Sequence, residues 1–210
     1  MRVALAQVAP VLGSVDANLR MHRKAAQAAL RAGADLVVFP ELSLTGYLLQ
    51  DLVPEVALPV RGSPEIRELL ALSRRIGLVV GLVEESEDHR YFNSALFLWR
   101  GKILHRHRKV YLPTYGMFDE GRDFAAGDSL RAFSTPIGRF GILICEDACH
   151  PTSPSFLGLN GADYLLVVPS GPSRGIGAGK EPASLEAWRD LCRVTARYQT
   201  VYVAYVNRVG

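Results

Sequence analysis

Cysteine is scarce in this sequence: Cys145, Cys149 and Cys192 are the only three in 210 residues. An odd number at no regular spacing excludes a disulfide framework and points to free thiols in a reducing compartment, so a cytoplasmic protein is expected. Long hydrophobic runs are missing too. No apolar stretch approaches the roughly 20 residues that span a bilayer, and no membrane partner is expected. The opening MRVALAQVAP carries one basic residue, is interrupted by Gln7 and lacks a small-residue cleavage site, so it reads as a strand and not as a signal peptide. Excess charge of either sign is also absent. The 24 Lys and Arg residues are spread along the chain against 21 acids and leave +3, which gives no electrostatic reason to expect nucleic acid. A small-molecule partner is favoured. Linkers, repeats and biased tracts are lacking as well. With 49% hydrophobic and 21% charged residues, the chain is an ordinary globular mixture, read as one domain over 1–210. Its length lets it bury roughly 70% of its unfolded surface without staples.

What is present is an alternation of strand and helix patterns. RVALAQVA reads as a buried strand, Asp16 opens a helix that runs to Arg31 and is stopped by Gly33, and ADLVVFP is a second strand. SPEIRELLALSRRIG follows as a helix with Pro64 near its start and Gly77 at its end, then the strand LVVGLVEE. YFNSALFLW and KILHRHRKVYL, joined by Arg100 and Gly101, form a hairpin, and RAFSTPIGRFGILIC adds a further strand segment. The tail gives a short helix near Ser155 to Asn160, the strand DYLLVVPS, the helix EPASLEAWRDLCRVTARYQ and the strand VYVAYVN. A mixed sheet in one α/β domain is expected. LVVFP and YLLVVP lack period-two alternation and so read as strands covered on both faces. Loops that follow such strands face the crevice where ligands sit.

Several motifs in those loops carry little. Gly171 to Gly175 satisfies G-x-S-x-G around Ser173, but that elbow needs a histidine after the serine. His22, His89, His105, His107 and His150 all precede it, so a glycine- and proline-rich turn is the plainer reading. Gly175, Gly177 and Gly179 precede Lys180, but Glu181 stands where a phosphate-binding loop requires Ser or Thr. Cys145, Cys149 and His150 offer three metal-type ligands at an unusual spacing with no second pair, and no metal is expected. In HRHRK, strand alternation puts Arg106 and Arg108 on one face, read as a solvated patch, and His105, His107 and Lys109 on the other.

Three segments remain, each placing one reactive group where a hydrophobic strand gives way to a loop: Glu41 after LVVFP, Lys109 before Tyr111-Leu112-Pro113, and Cys145 after GRFGILI. Taken singly, a cysteine ending a buried strand is usually a small hydrophobe, Glu41 could cap a helix and Lys109 could be a surface charge.

PELSLTGY around Glu41, RKVYLP around Lys109 and GILICED around Cys145 lie in that order, 68 and 36 positions apart. They resemble the nitrilase superfamily of carbon-nitrogen hydrolases, and the likeness runs from RVALAQ to VAYVNRVG. Within it, LPTYGMFDEGRDFAAG and CEDACHP are most similar to the glutaminase domain of glutamine-dependent NAD synthetase and its stand-alone relatives. The resemblance implies an α-β-β-α sandwich, a homo-oligomer whose sheets stack into four layers, and a Glu41-Lys109-Cys145 triad that needs no metal or organic cofactor. Cys145 would be the nucleophile, its thiolate stabilised by backbone N–H groups and Lys109. A partly desolvated Glu41 would act as general base, then acid. Lys109 and, by family likeness, the Glu146 backbone N–H would hold the oxyanion, and a thioester would form and be hydrolysed. Glu120 matches a second family glutamate that positions lysine and substrate, and Tyr115 matches a glutamine-binding position. Two departures stand out. The family's serine pair before proline is Ser170-Gly171-Pro172-Ser173 here, which affects the contacts expected of Ser170. The chain also stops at Asn207-Arg208-Val209-Gly210, where relatives continue, so a short member or a fragment is expected.

The function implied is hydrolysis of a small non-peptide amide with release of ammonia, glutamine-type amides first, with a separate synthetase as a conceivable ammonia acceptor. An N-carbamoyl amino acid amidohydrolase or a nitrilase could use the same triad. From another class, a non-catalytic binding subunit could keep the fold, although an intact triad argues against it.

Overall fold

Apolar residues at nearly every position of ADLVVFP and LVVGLVEE demand strands shielded on both sides, and the computed structural model, which describes residues 1–175 and 181–209, buries them in that way. The first sheet runs in the order β1 (Val3–Leu5), β2 (Leu36–Val38), β4 (Gly77–Glu85), β5 (Tyr91–Trp99) and β6 (Lys102–Arg108), with the short β3 (Leu58–Pro59) paired to β4. Its first three strands are parallel, and β5 and β6 are antiparallel. The second sheet is β10 (Tyr202–Tyr205), β9 (Tyr164–Val167), β8 (Gly138–Leu143) and β7 (Phe133–Thr135), parallel except for the β7–β8 hairpin. The single sheet read from the alternation is therefore two sheets, each of them mixed.

Period-two alternation sorts the strand side chains onto the two faces of each sheet. Val37, Leu78, Val80, Leu82, Leu96 and Leu98 pack against α1 (Val15–Arg31) and α3 (Pro64–Leu72) through Leu19, Ala26, Ile66 and Leu69. The intervening residues Leu36, Val38, Val79, Ala95 and Phe97 face Phe140, Ile142, Leu166 and Val168 of the second sheet. Beyond that sheet, Leu143, Leu165 and Val167 meet Leu157 of α5 (Thr152–Leu159) and Trp188 and Leu191 of α6 (Ala183–Gln199). The layers are helix, sheet, sheet, helix. Each fully buried Leu, Val or Phe contributes roughly 1.5–3 kcal/mol to holding them together.

Local chemistry sets the element ends. The Ser63 hydroxyl accepts the Ile66 N–H, and Pro64 occupies the first helical position of α3, where no donor is needed. That helix stops at Leu72, earlier than the sequence pattern suggests, because Ser73 turns to hold the β5–β6 connection by accepting the N–H groups of Arg100 and Gly101. RAFSTPIGRFGILIC is a hairpin and not one strand: Thr135 Oγ1 bonds both Ile137 N and Gly138 O across a turn in which Gly138 takes φ +140°. β1 is an edge strand with Leu5 45% exposed, less buried than expected. The short helices α2 (Val53–Val56) and α4 (Glu120–Asp123) lie in segments with no readable period. No helix among the described residues is long and apolar enough to cross a membrane.

Candidate active site

β2, β6, β8 and β9 each end close to one of the groups picked out by sequence. After β2, the chain turns back on itself between Pro40 and Gly46, with Ser43 N–H bonded to Pro40 O and Leu44 N–H bonded to Gly81 O on β4. A Cβ on Gly81 would lie 2.4 Å from Leu42 N, so only glycine lets this turn rest on the strand. α1 braces the turn from the other side. Asn18 exchanges hydrogen bonds with Val11 and donates to Leu44 O, and His22 Nε2 lies 3.0 Å from Ser43 Oγ. Burial lowers the His22 pKa to about 4 against the opposing pull of the Asn18 carbonyl, so the ring is neutral.

Glu41, 1% exposed, is the product of this bracing. Its Oε1 accepts from Lys109 Nζ at 2.7 Å and from Asn93 Nδ2 at 2.8 Å, and its Oε2 accepts the Ser170 N–H at 2.7 Å. Lys109 sits one residue beyond β6. Its N–H bonds Asn93 O and its carbonyl accepts the Gly127 N–H, and its ammonium also donates to Glu120 Oε1 at 2.6 Å. Burial alone would lower the Lys109 pKa, but the neighbouring carboxylates, Glu41 first and then Glu120, reverse the effect and hold the ammonium above its usual range. Glu120 opens α4 and also accepts the Tyr47 hydroxyl. Its burial and the charge of Glu41 raise its pKa to about 7, opposed by Lys109.

Cys145 comes from the second sheet. β8 ends at Leu143, Ile144 remains extended, and Cys145 takes φ 48° at the head of a 3-10 turn over Cys145–Cys149. A non-glycine residue in that region costs on the order of 1–3 kcal/mol, a strain found most often at functional turns. The thiol is 8% exposed. Burial, and then the charge of Glu41, push its pKa well up, while Lys109 and the Ser170 backbone pull it down. The thiolate expected from sequence is therefore replaced by a resting thiol, because desolvation outweighs the single ammonium.

The other expected residues gather beside this centre. Tyr115, 55% exposed, donates its hydroxyl to Glu146 Oε2 at 2.7 Å, and that bond, followed by partial burial, raises its pKa to about 12. His150 stacks on Tyr111 and lies 3.6 Å from Glu146. A cleft of about 540 Å³ is walled by Tyr47, Leu48, Met117, Phe118, Ser170 to Ser173 and Asn207 to Val209. It abuts the buried centre through Tyr47 and Ser170. Asn207 holds the wall by bonding both N–H and carbonyl of Gly171. The Ser170 hydroxyl is buried and finds no hydrogen-bond partner among the described residues.

Other motifs resolve differently. Arg106 and Arg108 share the solvent-facing side of β6 as alternation requires, with side chains 45% and 23% exposed, and both guanidinium groups also converge on Glu84, a β4 carboxylate 1% exposed. His105 and His107 point inward as alternation requires, His105 stacking on Phe133 of the second sheet. Among the described residues no three His, Cys, Asp or Glu side chains gather as a metal ion would need, and Cys145, Cys149 and His150 form no such group. Gly177, Gly179 and Lys180 lie outside the described residues. Around Ser173 the chain is irregular, and α6 begins at Ala183, so no strand-to-helix elbow forms among the described residues there. Sequence reasoning missed Tyr47, Asn93, Asp147, His107 and Asn207 as parts of the site. Asn93, a lone amide inside YFNSALFLW, was the one legible signal.

The profile of the carbon-nitrogen hydrolase family matches residues 2–210, from strand β1 through all three reactive groups. The chain belongs to this family. It is 36% identical over 216 residues to a glutamine-dependent NAD(+) synthetase of Rhodobacter capsulatus, covering 100% of this chain and 37% of that protein. It superposes with a TM-score of 0.83 on a glutamine-dependent NAD+ synthetase of Acinetobacter baumannii, 33% identical, over 99% of this chain and 38% of that one. A carbon-nitrogen hydrolase of Helicobacter pylori, 22% identical, shares the fold with a TM-score of 0.83 over 100% of this chain and 74% of that one. The chain thus spans little more than a third of the synthetases it matches. As a carbon-nitrogen hydrolase it is an enzyme of α/β sandwich fold.

Proposed function

We propose that this chain hydrolyses the carbon–nitrogen bond of a small non-peptide amide, glutamine-type amides first, and releases ammonia. The observation that carries the reading is the Lys109 ammonium held between the carboxylates of Glu41 and Glu120, next to a buried thiol whose protonation responds to all three charges. Glu41 takes the thiol proton as sulfur attacks the amide carbon. The C–S bond forms while the carbonyl π pair moves to oxygen, where Lys109 and the Glu146 N–H stabilise it. Collapse breaks the C–N bond, Glu41 returns the proton to the leaving nitrogen, and a thioester remains. Water then attacks that carbon, giving its proton to Glu41. Breaking the C–S bond releases the acid, and the proton returns to sulfur. A resting thiol fits this sequence, since the base is already at hand to receive its proton.

Glutamine is favoured because the relatives at 31–36% identity are glutamine-dependent synthetases and because Tyr115, edge-on to Phe118 of the cleft wall, and its partner Glu146, next to Cys145, supply a phenol and a carboxylate to which an α-ammonium can bind. Ammonia transfer to a separate synthetase and a homo-oligomeric assembly are parts of the same proposal, as is a cytoplasmic location. The test is ammonia release from a panel of amides, carbamoyl compounds and nitriles. Release from glutamine, abolished in Cys145→Ala, supports the reading. Release from carbamoyl compounds or nitriles alone reassigns the substrate, and no release from any of them makes the chain a binding module.

A further inference from the structure

One buried carboxylate outside the triad has an unusual set of donors. Asp147 is 0% exposed and accepts four hydrogen bonds. Its Oδ1 takes the backbone N–H groups of Val110 and Tyr111, each at 3.0 Å, and its Oδ2 takes the Ile144 N–H at 3.0 Å and His107 Nε2 at 2.8 Å. These donors belong to different sheets. Ile144 precedes Cys145 in the second sheet, whereas His107, Val110 and Tyr111 bracket Lys109 at the end of β6 in the first.

A residue that merely closed the Cys145 turn would need only the Ile144 N–H, three residues back. The bonds to Val110 and Tyr111 reach 37 and 36 positions along the chain and explain why β6 ends at Arg108, although KVYL continues the strand pattern. Asp147 occupies the N–H groups that a neighbouring strand would otherwise pair. His107 is 2% exposed between the sheets, in a layer where His105 only stacks on Phe133. Lys109 therefore lies between two anchors, His107 and Val110, that are tied to one carboxylate within the nucleophile's own turn.

We infer that Asp147, with His107, is a positioning pair that sets where the Lys109 ammonium stands relative to the Cys145 sulfur. The inference rests on the reading of Cys145 as nucleophile and Lys109 as its cationic partner. Neither residue of the pair touches substrate. Both act through the distance between two groups from separate sheets, and a displacement near 1 Å in such a site can cost about 100-fold in rate.

The test is chosen to stand apart from the activity itself. In a Cys149→Ala, Cys192→Ala background, iodoacetamide alkylation of Cys145 is followed against pH, with and without Lys109→Met. In the parent chain, loss of the lysine should slow alkylation at pH 8 by about tenfold, since the ammonium favours the thiolate. His107→Phe, which keeps a ring but no donor, should slow it alike, and adding Lys109→Met should then change little. His107→Gln, which keeps a donor, should restore most of the parental rate. Asp147→Asn, close to isosteric, reads the same coupling should the phenylalanine variant fail to fold. Full retention of the lysine effect in His107→Phe or in Asp147→Asn would overturn the inference. So would a loss of kcat that merely follows a loss of folded protein, because a positioning role predicts kcat lowered at least tenfold with KM unchanged. If the parent chain releases no ammonia from any amide, the functional reading fails while the alkylation series still decides the clamp.

Discussion

Tyr47 and Lys109 donate to the same oxygen of Glu120, Oε1, and leave its other oxygen buried with no partner among the described residues. A carboxylate arranged in this way has one face committed to the ammonium and one face able to take a proton. Desolvation and the nearby Glu41 charge favour that proton, which places the pKa at about 7.

This gives the first prediction. Because the folded pKa lies above that of an exposed glutamate, the Glu120 contribution to stability is complete in acid and is lost as pH rises through about 7. Activity runs the other way, as protonation on the free oxygen below that pH removes the negative charge that faces the Lys109 ammonium. The pH profile of kcat/KM should show an acid limb near 7 that disappears in Glu120→Gln, and denaturant melts of that variant should lose the decline in stability between pH 5 and pH 8.

Lys109→Met should lower kcat by at least about 100-fold with a smaller change in KM. It also strands Glu41 and Glu120, both buried. Breaking such a pair costs about 3–5 kcal/mol, and the loss should shrink at pH 5, where Glu120 accepts a proton. Equal destabilisation at pH 5 and pH 8 would contradict the charge assignment.

Gly81→Ala tests whether the Glu41 turn depends on its seat. The new methyl meets Leu42 N and Pro40 O at 2.4 and 2.7 Å, so the turn must lift and carry Glu41 with it. We expect a stability loss of about 1–3 kcal/mol and a fall in kcat larger than the unfolded fraction explains. A variant with full activity per folded molecule would show that the turn has slack.

Cys145→Ala should remain folded and inactive, whereas Cys149→Ala and Cys192→Ala should keep turnover. Cys149 is exposed and open to alkylation, although burial and the charge of Glu146 push its pKa up to about 11, so labelling alone does not identify the nucleophile. Residual turnover in Cys145→Ala would remove it from that role.

Substrate preference is read from kcat/KM for glutamine over a neutral amide of similar size. A site built around a bonded phenol and carboxylate rejects analogues lacking the matching charges by up to about 10⁴-fold. Tyr115→Phe should raise KM for glutamine and leave the neutral amide unchanged, and a ratio near one in the parent chain would dismiss glutamine.

Much of this was legible beforehand for a physical reason. Glu41 and Cys145 stand where apolar strands end, Lys109 stands one residue beyond the mixed strand β6, and the layer order follows from runs such as LVVFP, which have no polar face to show to water. The supports were hidden because their partners are distant in sequence. His22 on α1 meets Ser43, Asn93 on β5 meets Glu41, and Asp147 meets Val110, and no spacing rule connects such positions. Arg106 and Arg108 take the solvent-facing side that alternation gave them, but alternation could not show that Glu84 waits there. The hairpin in RAFSTPIGRFGILIC was marked by Pro136 and Gly138, which a reading guided by apolar content passed over.

The seam between the two sheets has a kinetic consequence. Glu41 and Lys109 are carried by one sheet and Cys145 by the other, so neither sheet alone contains the proposed reaction centre, however native its own hydrogen bonding. During refolding, catalytic competence is gained only when Phe97 and Phe140 close against each other. During mild denaturation it is lost as soon as that seam loosens, while helices and strands persist. Turnover is therefore a sensitive gauge of sheet docking, and should vanish at a lower denaturant concentration than the far-ultraviolet dichroism of the same sample.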